Sequence, residues 1–202
     1  MTKKLYPLFP TCVTENYCSI SKKQLNYLIE QKKCAVKNFN NQMSGDKNVL
    51  DHKIFKQLKN KINECLDDYV LQIYSCDSIK VHITQSWLNF CEKGQSHHSH
   101  VHPNSFLSGV LYIKANPNYH SIRFTNSSYN NIFPYNERTQ WSDFNSKCYD
   151  IPVEEGKLII FPSRLMHDVS RNTQDDLRIS LSFNTWIKGE VGSKENADYL
   201  KL

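Results

Sequence analysis

Apolar residues change period once along the 202-residue chain, and that switch limits its folds more than any other feature. Up to Ile73 they recur three and four apart, as on one face of a helix; from Ile79 they alternate singly, as on a strand. Ser21, three residues before Gln24, forms a capping box, and Ile20 and Leu25 stand in staple positions. A first helix is therefore predicted after Ser21, with Leu25, Leu28 and Ile29 on its apolar face. A second is predicted from Asp51, with Leu50 and Phe55 as its staple and Leu58, Ile62, Cys65, Leu66, Tyr69, Val70 and Ile73 as its buried stripe. Before both, Leu8-Phe9-Pro10-Thr11 followed by Val13 reads as a short edge strand, because Pro10 would break a central ladder.

After the switch, Ile79, Val81, Ile83, Gln85, Trp87 and Asn89 are predicted to share one face of a long strand, and Lys80, His82, Thr84, Ser86, Leu88 and Phe90 the other. Further strands are predicted over 106–114, 121–125, 157–161 and 178–187, separated by turns such as Asn116-Pro117-Asn118 and Glu154-Glu155-Gly156. Helices followed by many strands, with no linker or repeat between them, predict a single α+β domain: a sandwich or jelly roll backed by two N-terminal helices. Residues 1–76 form the helical support and 77–190 the sheet core, with an insertion at about 126–149. A long polar insertion suits a lid or substrate loop, and its Tyr129, Tyr135, Trp141 and Phe144 are candidates for substrate contact.

Composition removes several functional classes. Hydrophobic content of 39% supports a real core, and no apolar run reaches the roughly 20 residues of a membrane span. Met1-Thr2-Lys3-Lys4 does not open an apolar leader, so the expectation is a cytoplasmic protein without a membrane partner. Seven scattered cysteines without a C-x-x-C pair argue for reduced thiols, not a disulfide framework. The net charge of +5 is modest and the lysines lie mainly in the helical segments, so nothing demands nucleic acid.

Chemistry concentrates in histidine. His97, His98, His100 and His102 fall within six residues, and His167 follows the strand at 157–161. In an extended segment, residues two apart project to the same side, so His100 and His102 can share one ion with a third ligand from a distant strand. Three ligands on one face leave positions open for a chelating co-substrate and dioxygen, as in non-haem ferrous oxygenases. Arg178 opens the last predicted strand eleven residues beyond His167. A buried guanidinium calls for a carboxylate, supplied by Asp175 or Asp176 or by a bound dicarboxylate.

Over residues 87–186, these pieces resemble the iron(II)- and 2-oxoglutarate-dependent oxygenases of the double-stranded β-helix (jelly roll, cupin-like) fold. The resemblance rests on Trp87-Leu88-Asn89, His100-x-His102-Pro103-Asn104-Ser105, Ser108-Gly109-Val110-x-Tyr112, His167 after Gly156-Lys157-Leu158-Ile159-Ile160-Phe161-Pro162, and Arg178. Together with Leu8-Phe9-Pro10-Thr11, this string is similar to a subgroup with an HxH motif and no assigned substrate. It implies Fe(II) held by His100 and His167, with His102 favoured as the third ligand. It also implies 2-oxoglutarate held by Arg178 with Ser180, by the hydroxyls of Tyr112 and Ser108, and with Asn89 lining the pocket. The implied reaction consumes 2-oxoglutarate and O2 and hydroxylates a substrate.

Most of the family carries an acid where this chain has His102. His102 is then a third ligand, or stands aside for water, or yields to an acid from the insertion such as Glu137, Asp143 or Asp150. His98 and His100 form an equally spaced alternative pair, whereas Asp168 would point away from the ligands. Two other classes remain open from the residues: a cupin-like three-histidine metalloenzyme that does not use 2-oxoglutarate, and a catalytically silent jelly-roll binding module.

Overall fold

The computed structural model of the protein describes residues 4, 6–76, 78–127, 140–142 and 144–202. In chain order its elements are β1 (Thr14–Tyr17), α1 (Lys22–Glu30), β2 (Ala35–Asn38), β3 (Asn41–Ser44), α2 (Lys56–Tyr69), β4 (Lys80–Cys91) and β5 (His97–His100). There follow β6 (Leu107–Lys114), β7 (Ser121–Thr125), β8 (Cys148–Pro152), β9 (Lys157–Pro162), β10 (Met166–Val169), β11 (Arg178–Lys188), β12 (Glu190–Val191) and β13 (Leu200–Lys201). A large sheet runs β1-β9-β6-β11-β4-β3-β2, a smaller one β5-β10-β7-β8, and β12 pairs with β13. The paired strands of all three sheets are antiparallel.

Alternation along the central strands builds three layers. Leu107, Leu111 and Ile113 of β6, Leu158 and Ile160 of β9, and Ile179, Leu181 and Phe183 of β11 pack on α1 and α2 through Leu28, Leu58, Ile62 and Leu66. Their neighbours Val110, Tyr112, Ile159 and Phe161 face the small sheet and meet Ile122 and Phe124 of β7. The jelly-roll interior therefore lies between the sheets, with the helices outside it. Such inward-outward alternation is what period-two sequences build when both faces of a sheet are covered.

Gly109 sits on the helix side of β6, opposite Phe183, and an added Cβ would stand 2.1 Å from Phe183 Cζ. The ring fills the space that the missing side chain leaves. Gly109→Ala is therefore expected to destabilise the fold by about 1–3 kcal/mol or more, the usual range for overpacking. A lowered urea midpoint, partly restored by Phe183→Leu, is the check.

Several elements differ from the sequence expectation. The edge strand forms at Thr14–Tyr17, not at Leu8 to Val13: Phe9 takes a left-handed φ of 58°, and Pro10 has no N–H to pair. Ser21 caps α1 with both capping-box bonds present, but Gln24 and Leu28 are its buried residues and Ile29 is exposed. Gln24 fits there because its Nε2 donates to Ile54 O at 2.8 Å. The second helix starts at Lys56, not Asp51, because His52 is extended (φ −65°, ψ 137°) between two short 3₁₀ turns. Past its end, Ile73 is exposed.

β4 matters most for the site. Its pairing with β11 passes from Gln85↔Asn184 to Ile83↔Thr185, which leaves Thr84 as an extra residue whose Oγ1 donates to Asn184 O at 3.2 Å. This bulge reverses the alternation. Val81 and Ile83 join Leu88 and Phe90 in the helix-side core, against the expectation that they would share a face with Trp87 and Asn89. Among the described residues no helix is long and apolar enough to cross a membrane. The seven cysteines form no disulfide with one another.

Candidate functional site

Two short strands of the small sheet carry the histidines. β5 pairs with β10 so that His100 stands opposite His167, while β10 pairs on its other edge with β7. The chain leaves β5 at His100, and His102 N then donates to Ser163 O at 2.9 Å, which turns the imidazole back toward His167. The two Nε2 atoms of His102 and His167 lie 3.2 Å apart. That is near the about 3.0 Å that metal–nitrogen bonds of roughly 2.1 Å make at a right angle. Candidate ligand nitrogens of His100, His102 and His167 all lie within 4.8 Å of one another.

The second nitrogens fix the tautomers. His167 Nδ1 lies 2.9 Å from Leu165 O and His100 Nδ1 lies 2.8 Å from His98 O. A carbonyl only accepts, so each Nδ1 carries the proton and each Nε2 keeps its lone pair. Burial, reinforced by the neighbouring imidazoles, pushes His167 down to about 3 and His102 down to about 4; burial also lowers His100. All three are neutral at pH 7, as metal ligands must be. The set fits a borderline divalent ion.

No acid completes the group among the described residues. Asp150 is gripped by Arg123 through two bonds of 2.8 Å, and Glu137 and Asp143 lie outside the described residues. Asp168, beside His167, faces Arg123 in the register of β7 and β10. Of the insertion aromatics, Trp141 and Phe144 are exposed, whereas Tyr129 and Tyr135 lie outside the described residues.

The large sheet supplies a polar ladder. Across its inner face, Cys91 pairs with Arg178, Asn89 with Ser180 and Ser180 with Tyr112, Trp87 with Ser182, and Gln85 with Asn184. Arg178 is 4% exposed. Its Nη1 donates to Ser170 O at 3.2 Å and its Nη2 to Cys91 Sγ at 2.9 Å. Neither partner is charged, and Asp175 and Asp176 instead pair with Lys93 and Lys114. Close by, Tyr112 is buried with its hydroxyl unpartnered, and Asn89 Oδ1 is likewise unpartnered. Burial pushes the Tyr112 phenol up, partly offset by the Arg178 charge. A buried cation without an anion among the described residues, beside an unsatisfied hydroxyl, is a cradle that one carboxylate would satisfy.

Ser108 is not brought to this cradle. Its hydroxyl bonds Ser163 Oγ at 2.8 Å and Asn184 Oδ1 at 3.0 Å, two rows along β6 from Tyr112. Sequence reasoning missed the support behind Arg178. Asn172, fully buried, donates through Nδ2 to Cys91 O and Asp176 O and meets His120 Nε2 at 3.2 Å. It also ties to the β4–β5 turn, because Gly94 N donates to its carbonyl. A lone loop asparagine gives no signal in sequence that could reveal this.

Residues 85–184 match the family described as "Putative 2OG-Fe(II) oxygenase". No curated protein matches the chain. Among solved structures, the non-haem α-ketoglutarate-dependent epimerase SnoN from nogalamycin biosynthesis superposes with a TM-score of 0.61 at 12% identity, covering 95% of this chain and 88% of its own. HygX from Streptomyces hygroscopicus, crystallised with nickel, 2-oxoglutarate and hygromycin B, gives 0.59 at 13% identity over 87% and 82%. A Pseudomonas putida prolyl-4-hydroxylase gives 0.54 at 12% identity over 86% and 92%. At these identities the likeness is one of fold.

Proposed function

We propose that the chain, residues 85–184 of which match the family described as "Putative 2OG-Fe(II) oxygenase", is a working iron(II)- and 2-oxoglutarate-dependent oxygenase, a hydroxylase that couples 2-oxoglutarate breakdown to substrate oxidation. One observation carries the reading. A convergent set of neutral imidazoles and a buried guanidinium with no carboxylate partner among the described residues share one interior. In this reading His100, His102 and His167 hold Fe(II), and Arg178 receives the distal carboxylate of 2-oxoglutarate.

Bound iron and 2-oxoglutarate supply the oxidising power: O2 and the keto acid become succinate and CO2, with one oxygen atom inserted into a substrate C–H bond. The chain's residues do the positioning. Tyr112 donates its hydroxyl to the carboxylate and Ser180, in register between Asn89 and Tyr112, adds a second donor. Asn89 Nδ2 now donates to Ser182 Oγ at 3.0 Å; a half-turn of the amide lets Ser182 donate instead and turns N–H toward the ligand. Val110, Ile159, Phe161 and Phe124 wall the interior with apolar surface and exclude water. His102 in place of an acid leaves the centre one positive charge richer, which raises its potential.

Substrate room is available along β11. From Arg178 the strand runs past Ser182, whose partner Trp87 packs on His102 at 5.9 Å, to a cavity of about 400 Å³ lined by His82, Thr84, Gln85, Pro103, Asn104 and Trp186. In this reading the substrate approaches from this cavity, on the side of His102 and Trp87 away from Arg178. A three-histidine cupin reaction without 2-oxoglutarate would leave Arg178 buried and uncompensated, which disfavours it. Aerobic incubation is expected to yield succinate only when Fe(II) and 2-oxoglutarate are both added. Equal succinate with either omitted would refute the reading.

A further inference from the structure

β5 carries two more imidazoles than the proposed iron site uses. His97 lies nearly parallel on His100, with centroids 4.5 Å apart and planes at 12°, and His98 stands 5.1 Å from both rings. One candidate ligand nitrogen from each of His97, His98 and His100 lies within 4.8 Å of the others, as do those of His100, His102 and His167. His98 Nδ1 is sealed from solvent and has no hydrogen-bond partner. Phe39, from the β2–β3 turn, packs on His98 at 4.4 Å and closes that side. A sealed nitrogen without a partner is costly unless something binds it.

We propose that His97, His98 and His100 form a second, outer divalent-cation site, selective for imidazole-preferring ions of the Zn(II) type, which shares His100 with the inner set and so cannot be filled together with it. The donor set consists of three imidazoles and no carboxylate, which suits Zn(II), Cu(II) and Ni(II) and not Mg(II) or Ca(II). The exclusivity follows from the tautomer. His100 gives its Nδ1 proton to His98 O, so it has one lone pair, on Nε2, and one lone pair binds one ion. Zn(II) in the outer set therefore withdraws a ligand from the inner one. The outer site itself stands on geometry alone; only the statement that it competes with iron rests on the reading above.

The test uses full-length protein and Zn(II) alone, followed by equilibrium dialysis. His102→Ala/His167→Ala removes two inner ligands and is expected still to bind one Zn(II) per chain. Adding His98→Ala or His97→Ala should weaken that binding by more than about tenfold. Circular dichroism establishes that each variant is folded, and His102→Gln/His167→Gln, closer in volume, replaces the alanine pair if it is not. The proposal is overturned if the double variant binds no Zn(II), or binds it equally well without His97 and His98. Two histidine-bound Zn(II) ions per wild-type chain would overturn the sharing of His100. Wild-type succinate formation is read separately, so failure of the oxygenase reading leaves these outcomes interpretable.

Discussion

Arg178→Ala is expected to weaken 2-oxoglutarate binding by at least about 30-fold, and to beyond about 1,000-fold at the upper end, while Fe(II) affinity stays within a few-fold. The range follows from the about 2–5 kcal/mol lost when one partner of a buried charged pair is truncated, at 1.4 kcal/mol per tenfold. Arg178 lies at the far end of the ladder from the His102–Trp87 contact, so metal ligation should not notice its loss. Arg178→Lys should recover only part of the affinity, because an ammonium cannot make the two parallel bonds of a guanidinium. Titration of 2-oxoglutarate into Fe(II)-loaded protein under anaerobic conditions reads both variants. Unchanged affinity in Arg178→Ala would remove the carboxylate cradle from the account.

His167→Ala carries the second large effect. Loss of an outer-shell partner alone costs metal sites about 10- to 100-fold, so loss of a ligand should lower Fe(II) affinity by more than about 100-fold. His167 stands on β10 between β5 and β7, held by pairs on both edges and by contact with Phe161 at 4.6 Å. The variant should therefore fold. His102→Asp, in contrast, is expected to keep Fe(II) and lower its potential, because a carboxylate returns the missing negative charge. Dialysis against Fe(II) with electrochemical measurement distinguishes the two substitutions, and an unaltered affinity in His167→Ala would exclude it as a ligand.

Why some of this was legible in sequence and some was not has physical reasons. β6, β7, β9 and β11 are covered on both faces or alternate cleanly, so their apolar residues announce them. β5 and β10 are four residues each, β5 with three histidines and β10 with one, and neither offers a hydrophobic period to read. The β2–β3 hairpin turns through Phe39 at φ 48°, without the glycine that usually marks such a turn. Simple alternation puts Val81 and Ile83 on the opposite face from the one they occupy, because a bulge at Thr84 needs no special residue yet shifts every side chain before it.

The site divides in the same way. Four histidines within six residues are visible in any reading, but which of them faces His167 depends on a strand pairing 67 positions apart, His100↔His167. Arg178 was legible as a costly buried cation, whereas its neutral neighbours Cys91 and Ser170 were not, because they are brought together only by the folded sheet. Ser108 shares the inner face of β6 with Tyr112, as spacing suggests, yet the strand is long enough to put it in another network.

Anaerobic addition of 2-oxoglutarate to Fe(II)-loaded protein is the most direct measurement of the central claim. The account predicts a weak visible charge-transfer band that saturates with one 2-oxoglutarate per chain in the wild type and is absent in His167→Ala. No band in the wild type, or the same band in His167→Ala, would contradict it.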